Sequence, residues 1–320
     1  MITLTKWFIR TAAAVAIGLT ACAAPAFAFP DRPITMIVPW APGGSTDQTA
    51  RVLAKAVEKQ LGQPIIILNK PGASTIIGMR ELAQAKPDGY TIGTLSSTTY
   101  LAPLTGQPVT YEMLKDFTFI SYYGDNLIGI AVLKDKPWKT LEDLVEDGKK
   151  NPDKLNFGTG GANSTQHLMV EALERRTGAQ FNHVPQRGSA GSNLALLGNH
   201  VDFISEVSVW APHVESGQAR LLVLNTPKRA AAYPNVPTYA ELGFEYLRSV
   251  QAIIGPAGMP EDIRLKLETA FRKALEDPGF KDTMKKLSME IIDMPGPQVR
   301  EVVAAEMEKA KRLISELQAK

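Results

Sequence analysis

Cysteine is nearly absent from this chain: Cys22 is the only one in 320 residues. It falls in a leader-like N-terminal segment, so the residues that follow can form no disulfide and perform no thiol chemistry. Histidine is scarce and scattered, with four in the whole chain, which argues against a metal centre even though His167 and Glu171 stand four apart on a helix. Neither charge sign dominates, because 35 Lys and Arg face 33 Asp and Glu. With no basic run, nucleic acid is a poor partner. There is no G-x-S-x-G elbow, no phosphate-binding G-x-x-x-x-G-K loop, no low-complexity tract and no solenoid repeat. No cofactor is expected.

What is present begins with an export leader. Lys6 and Arg10 make a positive start, Thr11 to Leu19 is a short apolar run of small residues, and Ala26-Phe27-Ala28 fits an A-x-A cleavage site. Cleavage after Ala28 would release a periplasmic chain beginning at Phe29. Leu19-Thr20-Ala21-Cys22 also has the form of a lipoprotein box, which would instead anchor the chain through Cys22. The apolar run is too short for a stable span, and no later stretch approaches spanning length. Roughly 290 residues remain, enough for an ample core shared by two domains.

The segment Ile37-Val38-Pro39-Trp40-Ala41-Pro42-Gly43-Gly44-Ser45-Thr46-Asp47 is an apolar strand running into a Pro/Gly turn that opens onto a helix. Ala50, Leu53, Ala54, Val57 and Leu61 recur at a spacing of three and four, and Gly62 stops the helix. A glycine loop at a helix start presents unpaired N–H groups at the positive end of the helix dipole, an arrangement suited to an anion. Strands 65–68 and 90–95 alternate with helices 45–61 and 74–85, so a mostly parallel sheet is expected. The polar run Ser96-Ser97-Thr98-Thr99 sits at a carboxyl strand end, the edge where open α/β sheets bind ligands.

A second unit starts near Gly129 and repeats the device. Strand 155–158 ends in Gly158-Thr159-Gly160-Gly161-Ala162-Asn163-Ser164, which opens a helix carrying Leu168, Ala172 and Leu173. Strands 130–133, 181–185, 201–205 and 221–224 complete it. From Glu261 the chain reads as three helices, 261–276, a short one after Pro278, and 298–317. Such a tail packs back on the first unit and leaves a cleft between two lobes.

With these residues in view, the chain resembles the solute-binding proteins of tripartite tricarboxylate transporters, the Bug proteins. The matching pieces are Val38 to Gly44 with Asp47 and Ala50-Arg51; Leu61-Gly62-Gln63 with Asn69, Pro71-Gly72-Ala73 and Ile77-Gly78; and Pro87-Asp88-Gly89-Tyr90-Thr91. Downstream are Gly158-Thr159-Gly160 with His167-Leu168, His183-Val184-Pro185, Val236-Pro237-Thr238 with Glu241 and Gly243, and Pro256 to Pro260. Each is weak alone; their order and spacing carry the resemblance, which covers the chain beyond the leader.

The resemblance implies an α/β, type II periplasmic-binding fold, a ligand cleft between lobes and a helical C-terminal tail on lobe 1. The lobes would be 29–128 and 253–320 for the first and 129–252 for the second, behind a leader 1–28. It implies a small carboxylate ligand, a monomer, and a large and a small integral membrane subunit as partners. Carried to this chain, first-lobe contacts would be Trp40, Gly43, Gly44, Ser45, Asp47, Ser97 and Thr98, and second-lobe contacts Thr159, Gly160, Asn163, Ser164 and Thr165. Departures are Gln186-Arg187-Gly188 for an aromatic-Lys-Gly, Ser205 and Glu206 for an aromatic and Asp, and Gln251 for Trp. They are expected to make the second-lobe side more polar.

Each residue also has a structural reading. Asp47 in a first helical turn can complement the dipole and pair with Arg51, a role favoured here over ligand contact. His167 would bond a loop or the ligand. Arg187 is either a fork for a second carboxylate, with Glu206 nearby, or a solvated loop residue. Hinges are expected near 125–129 and 251–255. Two other functions compete with transport: an adaptor presenting the loaded form to a sensor kinase, and an enzyme acting on a phosphorylated or acyl substrate.

Overall fold

A computed structural model describes residues 29–319. The leader, its cleavage site and Cys22 lie outside the described residues. The chain builds two sheets. The first runs β11-β4-β10-β3-β1-β2, from β1 (Ile34–Val38), β2 (Ile65–Asn69), β3 (Thr91–Ser96), β4 (Phe117–Asp125), β10 (Val250–Pro256) and β11 (Glu290–Pro295). The second runs β7-β6-β8-β5-β9, from β5 (Gly129–Leu133), β6 (Asn156–Thr159), β7 (Asn182–Pro185), β8 (Phe203–Glu206) and β9 (Ala219–Leu224). Both sheets are mixed rather than mostly parallel. β1 pairs parallel with β2 and β3, but β10 returns antiparallel between β3 and β4. The second sheet pairs β6 parallel with β7 and β8, while β5 is antiparallel to β8 and β9.

The helices follow the apolar spacing. Helix α1 (Ser45–Leu61) buries Ala50, Leu53, Ala54 and Val57 and ends at Gly62, whose φ of 70° is the left-handed conformation a C-terminal cap needs. Helices α2 (Ile76–Ala83) and α3 (Ser97–Leu101) follow β2 and β3. Beside the second sheet lie α4 (Leu141–Lys150), α5 (Thr165–Thr177), α6 (Ser189–Leu197), a 3-10 turn (Ser208–Trp210) and α7 (Ala211–Glu215). The tail holds α8 (Glu261–Ala274), α9 (Pro278–Lys286) and α10 (Gly296–Gln318). Helix α8 packs on α1 and β4, whereas α10 packs on β4 and also reaches α5 beside the second sheet. Val299, Val303, Ala310 and Leu313 of α10 therefore share one apolar core with Leu168, Leu173, Phe157 and Phe203.

Two strands escaped the pattern reading. β4 is buried on both faces along most of its length, so its sequence FTFISYYGD shows no alternation. β11 interrupts the tail that read as wholly helical; it is a short edge strand against β4, with a register shift between Ile291 and Met294. The second crossing also comes earlier than expected. Residues 251–254 are paired on both sides within β10 and Gly255 on one, so they belong to the first sheet. The chain passes between sheets at 126–128 and within 225–249. The crossings lie side by side: Val250 is the register partner of Asp125, Asn126 N–H donates to Ser249 O at 3.0 Å, and Asn225 N–H to Ile128 O at 2.8 Å. Arg248 grips Asp125 Oδ2 through Nε at 2.9 Å and its terminal nitrogen at 2.8 Å.

One loop stores backbone strain. After Gly72, the residues Ala73, Ser74 and Thr75 have φ of 45°, 46° and 85°. Left-handed φ is costly for any side chain and worst for a β-branched one. From this loop Ser74 Oγ donates to Ala162 O across the cleft at 2.6 Å. Thr75→Gly is expected to stabilise the protein by about 1 kcal/mol, the strain relieved less the added unfolded-state entropy. A urea midpoint that stays level or falls would show that the threonine side chain repays its conformation.

Candidate functional site

Four helices start at the cleft, two beside each sheet. The α1 start is shaped by Asp47, which is only 3% exposed and turns back to the loop that precedes it. Its Oδ2 accepts from Gly43 N–H at 2.9 Å and Arg51 Nε at 3.0 Å, and its Oδ1 from Asn69 Nδ2 at 2.8 Å. Burial acts to raise its pKa, but the bonds from Arg51, Gly43 and Asn69 outweigh burial and hold the carboxyl below its usual range. Asn69 Nδ2 also donates to Trp40 O at 3.0 Å. The loop is thereby fixed from beneath, and Gly43 takes the φ of 90° that the turn requires. Gly44, the N-cap of α1, is extended and supplies no side-chain acceptor, so the first-turn N–H groups have no side-chain cap.

Helix α3 starts at Ser97, whose Oγ donates to Arg248 O at 2.6 Å and accepts from Val250 N–H at 2.9 Å. The rim of the first sheet is thus tied to the returning crossing. Trp40 donates from Nε1 to Ser96 Oγ at 3.2 Å. Gln251 accepts on Oε1 from Thr46 Oγ1 at 3.2 Å and Tyr123 OH at 3.1 Å. It makes the first-sheet side of the cleft more polar, not the second-sheet side, because β10 belongs to the first sheet.

The loop that opens α5 rests on a pair of histidines. His167 and His183 stack with ring centroids 3.9 Å apart, and His183 stacks on Phe157 at 4.7 Å. Thr159 Oγ1 donates to Gly161 O at 2.9 Å, so the 2.8 Å contact with His183 Nε2 requires that nitrogen to donate. Asn163 N–H donates to His167 Nδ1 at 3.3 Å, while Ser164 Oγ caps α5 by accepting from His167 N–H at 3.3 Å. Burial pushes both rings down to about 4, and for His183 the neighbouring His167 adds to the effect. Both are neutral struts under the loop.

The cleft holds a cavity of about 20 Å³, scarcely more than one water needs. Its wall is formed by Trp40, Ala41, Gly44, Ser45, Thr46, Ser96, Ser97, Thr98, Asn126, Thr165, Gln166, Ser189, Val207, Ser249 and Gln251, with no charged side chain. The first residues of α1, α3, α5 and α6 (Ser45, Ser97, Thr165 and Ser189) all stand in it. The lobes touch around it: a Cβ on Gly44 would lie 3.9 Å from Ser189 Cβ, and one on Gly188 3.6 Å from Ala41 Cβ. This is a closed arrangement.

Of the residues read from the sequence, Trp40, Gly44, Ser45, Ser97, Thr98 and Thr165 line the cavity. Gly43, Asp47, Thr159, Gly160, Asn163, Ser164 and His167 are not part of that wall. Asp47, Thr159, Ser164 and His167 hold the loops through the bonds given above, and Gly43 is exposed, with Ala190 Cβ of the other lobe 3.7 Å from where its own Cβ would lie. Arg187 is exposed on the loop before α6 and outside the wall. Glu206 is fully buried, holds Val207 N–H at 3.0 Å, and makes no bond to Arg187. Ser96, part of the polar run at the strand edge, and Gln251, one of the departures, are also in the wall, together with Thr46, Asn126, Gln166, Ser189 and Ser249, which are not among the expected contacts. Ser189 carried a usable signal, because Gly188-Ser189 repeats the Gly44-Ser45 helix start.

Comparison with known proteins gives the family and the fold. The model of the tripartite tricarboxylate transporter family receptor matches residues 49–319, and the chain belongs to that family. BugT of Bordetella pertussis is 33% identical over 297 residues, covering 91% of each chain. Among solved structures, MatC from Rhodopseudomonas palustris with bound malate superposes with a TM-score of 0.82 at 27% identity, over 89% of this chain and 100% of that one. A second R. palustris protein, with adipate, gives 0.85 at 26% identity, over 90% and 98%.

The histidine struts set a pH response. Each folded pKa lies below the unfolded value of 6.5, so between 6.5 and about 4 the unfolded chain binds more protons. Their contribution is present above pH 6.5 and is lost as pH falls through that window. Glu174 and Glu206, pushed up to about 7 by burial, act in the opposite sense. His167→Gln should therefore lose less stability on acidification than the parent, measured by urea unfolding at several pH values. An equal loss would mean that His167 does not carry the response.

Proposed function

We propose that this chain is an extracytoplasmic receptor that captures a small carboxylate between its lobes and delivers it to a membrane transporter with one large and one small integral subunit. The observation that carries the reading is the convergence of four Ser/Thr helix starts, from both sheets, on one wall without a charged side chain. An anion there is met by oriented N–H groups and hydroxyls instead of a counter-ion. A helix terminus offers roughly 0.3–1 kcal/mol at the surface and up to about 2 when partly buried. Several charge-assisted bonds of about 1.5–3 kcal/mol each then suffice for micromolar affinity after entropic costs. Malate and adipate in the two R. palustris relatives support a carboxylate of this size.

Ligand contacts under this reading are Trp40, Gly44, Ser45, Ser97, Thr98 and Thr165, joined by Asn126, Gln166, Ser189 and Gln251. The lobes are 29–125 with 250–319, and 129–224, hinged at the paired crossings. The leader directs export, and no helix of the described residues is long and apolar enough to cross a membrane.

A thermal-shift screen of small carboxylic acids, malate and adipate included, tests the reading, since a ligand of the folded state raises its melting temperature. Gly44→Val separates site from fold. Gly44 has φ of −73° and ψ of 168°, which valine accepts, but its methyl groups would project toward Ser189 from the other lobe. The variant is expected to fold with unchanged urea midpoint and to lose binding at least tenfold, by about 1.4 kcal/mol or more. Retained affinity would move the site away from this loop.

A further inference from the structure

Glu206 ends β8 as a carboxyl with no solvent exposure and no cation beside it. Val207 N–H donates to its Oε2 at 3.0 Å, and among the described residues no group meets its Oε1 in full hydrogen-bond geometry, although Ser189, Gly160 and Gln166 stand beside the carboxyl. That oxygen points toward the glycine loop, where a Cβ on Gly160 would lie 3.2 Å from it. Gln166 and Ser189 flank the carboxyl and also line the cavity, so Glu206 stands one residue behind the wall. The elements packed around it carry almost no charge. β5, β6, α6 and the 3-10 turn 208–210 contain no ionisable side chain.

Helix α5 is the exception, with His167, Glu171, Glu174, Arg175 and Arg176. His167 is kept neutral under the loop and faces Glu171 at 3.8 Å; Glu174 accepts from Phe181 N–H. Arg175 bonds the C-terminal carbonyls of Leu317 and Ala319, and Arg176 lies over Phe244. From the facing lobe, Asp47 and Arg51 pair with each other, and Arg187 on the adjoining loop is exposed. A wall built of neutral dipoles for an anion thus has a lone, unneutralised carboxyl directly behind it.

We propose that Glu206 is a proton-binding group of the receptor, so that closing on a carboxylate takes up one proton from water at Oε1. This rests on the reading of the cleft as a carboxylate site. Two negative charges separated by one layer of neutral residues repel strongly in a water-poor interior, and protonating Glu206 removes that repulsion. The protonated acid also gains an O–H, for which the Ser189 hydroxyl and the Gln166 side chain beside the carboxyl can supply an acceptor. Burial pushes this carboxyl up to about 7 against the lowering pull of Ser189, Val207, Gly160 and Gln166, so a bound anion acts on a group poised to respond. Glu206 is a positioning residue in this scheme: it sets when an anion is admitted without touching it.

Linkage fixes the sign. Below the free-state pKa the proton is already present and affinity is flat; above it, affinity falls by up to about tenfold per pH unit until the bound-state pKa is passed. The probes are formate, malate and adipate, with calorimetry from about pH 6 to 8.5 on the protein and on Glu206→Gln, and at about pH 7.5 in Hepes and in Tris. The expected result is a Kd that rises above neutrality for the parent and is level for the variant. The parent's heat should differ between the two buffers by the uptake of up to one proton. A Kd independent of pH with equal heats in both buffers would overturn the proton coupling and leave the carboxylate site standing. Failure of all three acids to bind either protein at about pH 6 would remove the carboxylate reading, and this proposal with it. The buffer comparison on the parent alone decides the matter if the variant does not fold.

Discussion

Arg248 and Asp125 meet where β4 leaves the first sheet and β10 enters it, and this pairing governs how the two halves of the molecule relate. A chain that crossed at two distant points would be clamped rigid or left loose. Here both crossings run side by side and share hydrogen bonds, so the chain joins the two sheets through one narrow strip. Ser97 fixes the start of α3 to that strip through Arg248 O and Val250 N–H, which places part of the cavity wall directly on it. Asn126 and Ser249 line the cavity from the crossings themselves. Helix α10, packed against β4 and reaching α5, braces the halves from behind the strip.

The second constraint is local. A loop that offers N–H groups to a ligand must not offer them to itself, and at α1 this is arranged by burying the partner chemistry below. Asp47 and Asn69 take up Gly43 N–H and Trp40 O, leaving the start of the helix uncapped by any side chain. At α5 the same end is reached differently: Ser164 caps one N–H, and the stacked His167 and His183 hold the loop through Thr159 and Asn163. Asp47, Thr159, Ser164 and His167 thus hold the loops whose neighbouring residues line the cavity.

That distinction explains what could be read from the sequence. Helix α1, its glycine stop, the two glycine loops and the α/β order were legible because each depends on residues adjacent in sequence. So was the structural role of Asp47, since its partner Arg51 lies four residues away on the same helix. β4 and the antiparallel return of β10 were not, because burial on both faces erases alternation and strand pairing depends on distant chain. The wall residues Asn126, Gln166 and Ser249 belong to no motif; they line the cavity only because the crossings and α5 are brought together. Arg187 illustrates the converse: a residue type well suited to carboxylates, carried by the fold to an exposed loop.

The uncharged wall has a kinetic consequence. A cleft lined by cations draws anions from a distance, speeds their encounter, and loses that advantage as salt screens the field. This cleft has no cation in its wall, and the chain's net charge is only +2. Dipoles of N–H and hydroxyl groups act at bonding range and weaken little with ionic strength. Encounter with an anion is therefore left to ordinary diffusion. A receptor built in this way reports how much of its solute is present, and is largely indifferent to how much other salt surrounds it.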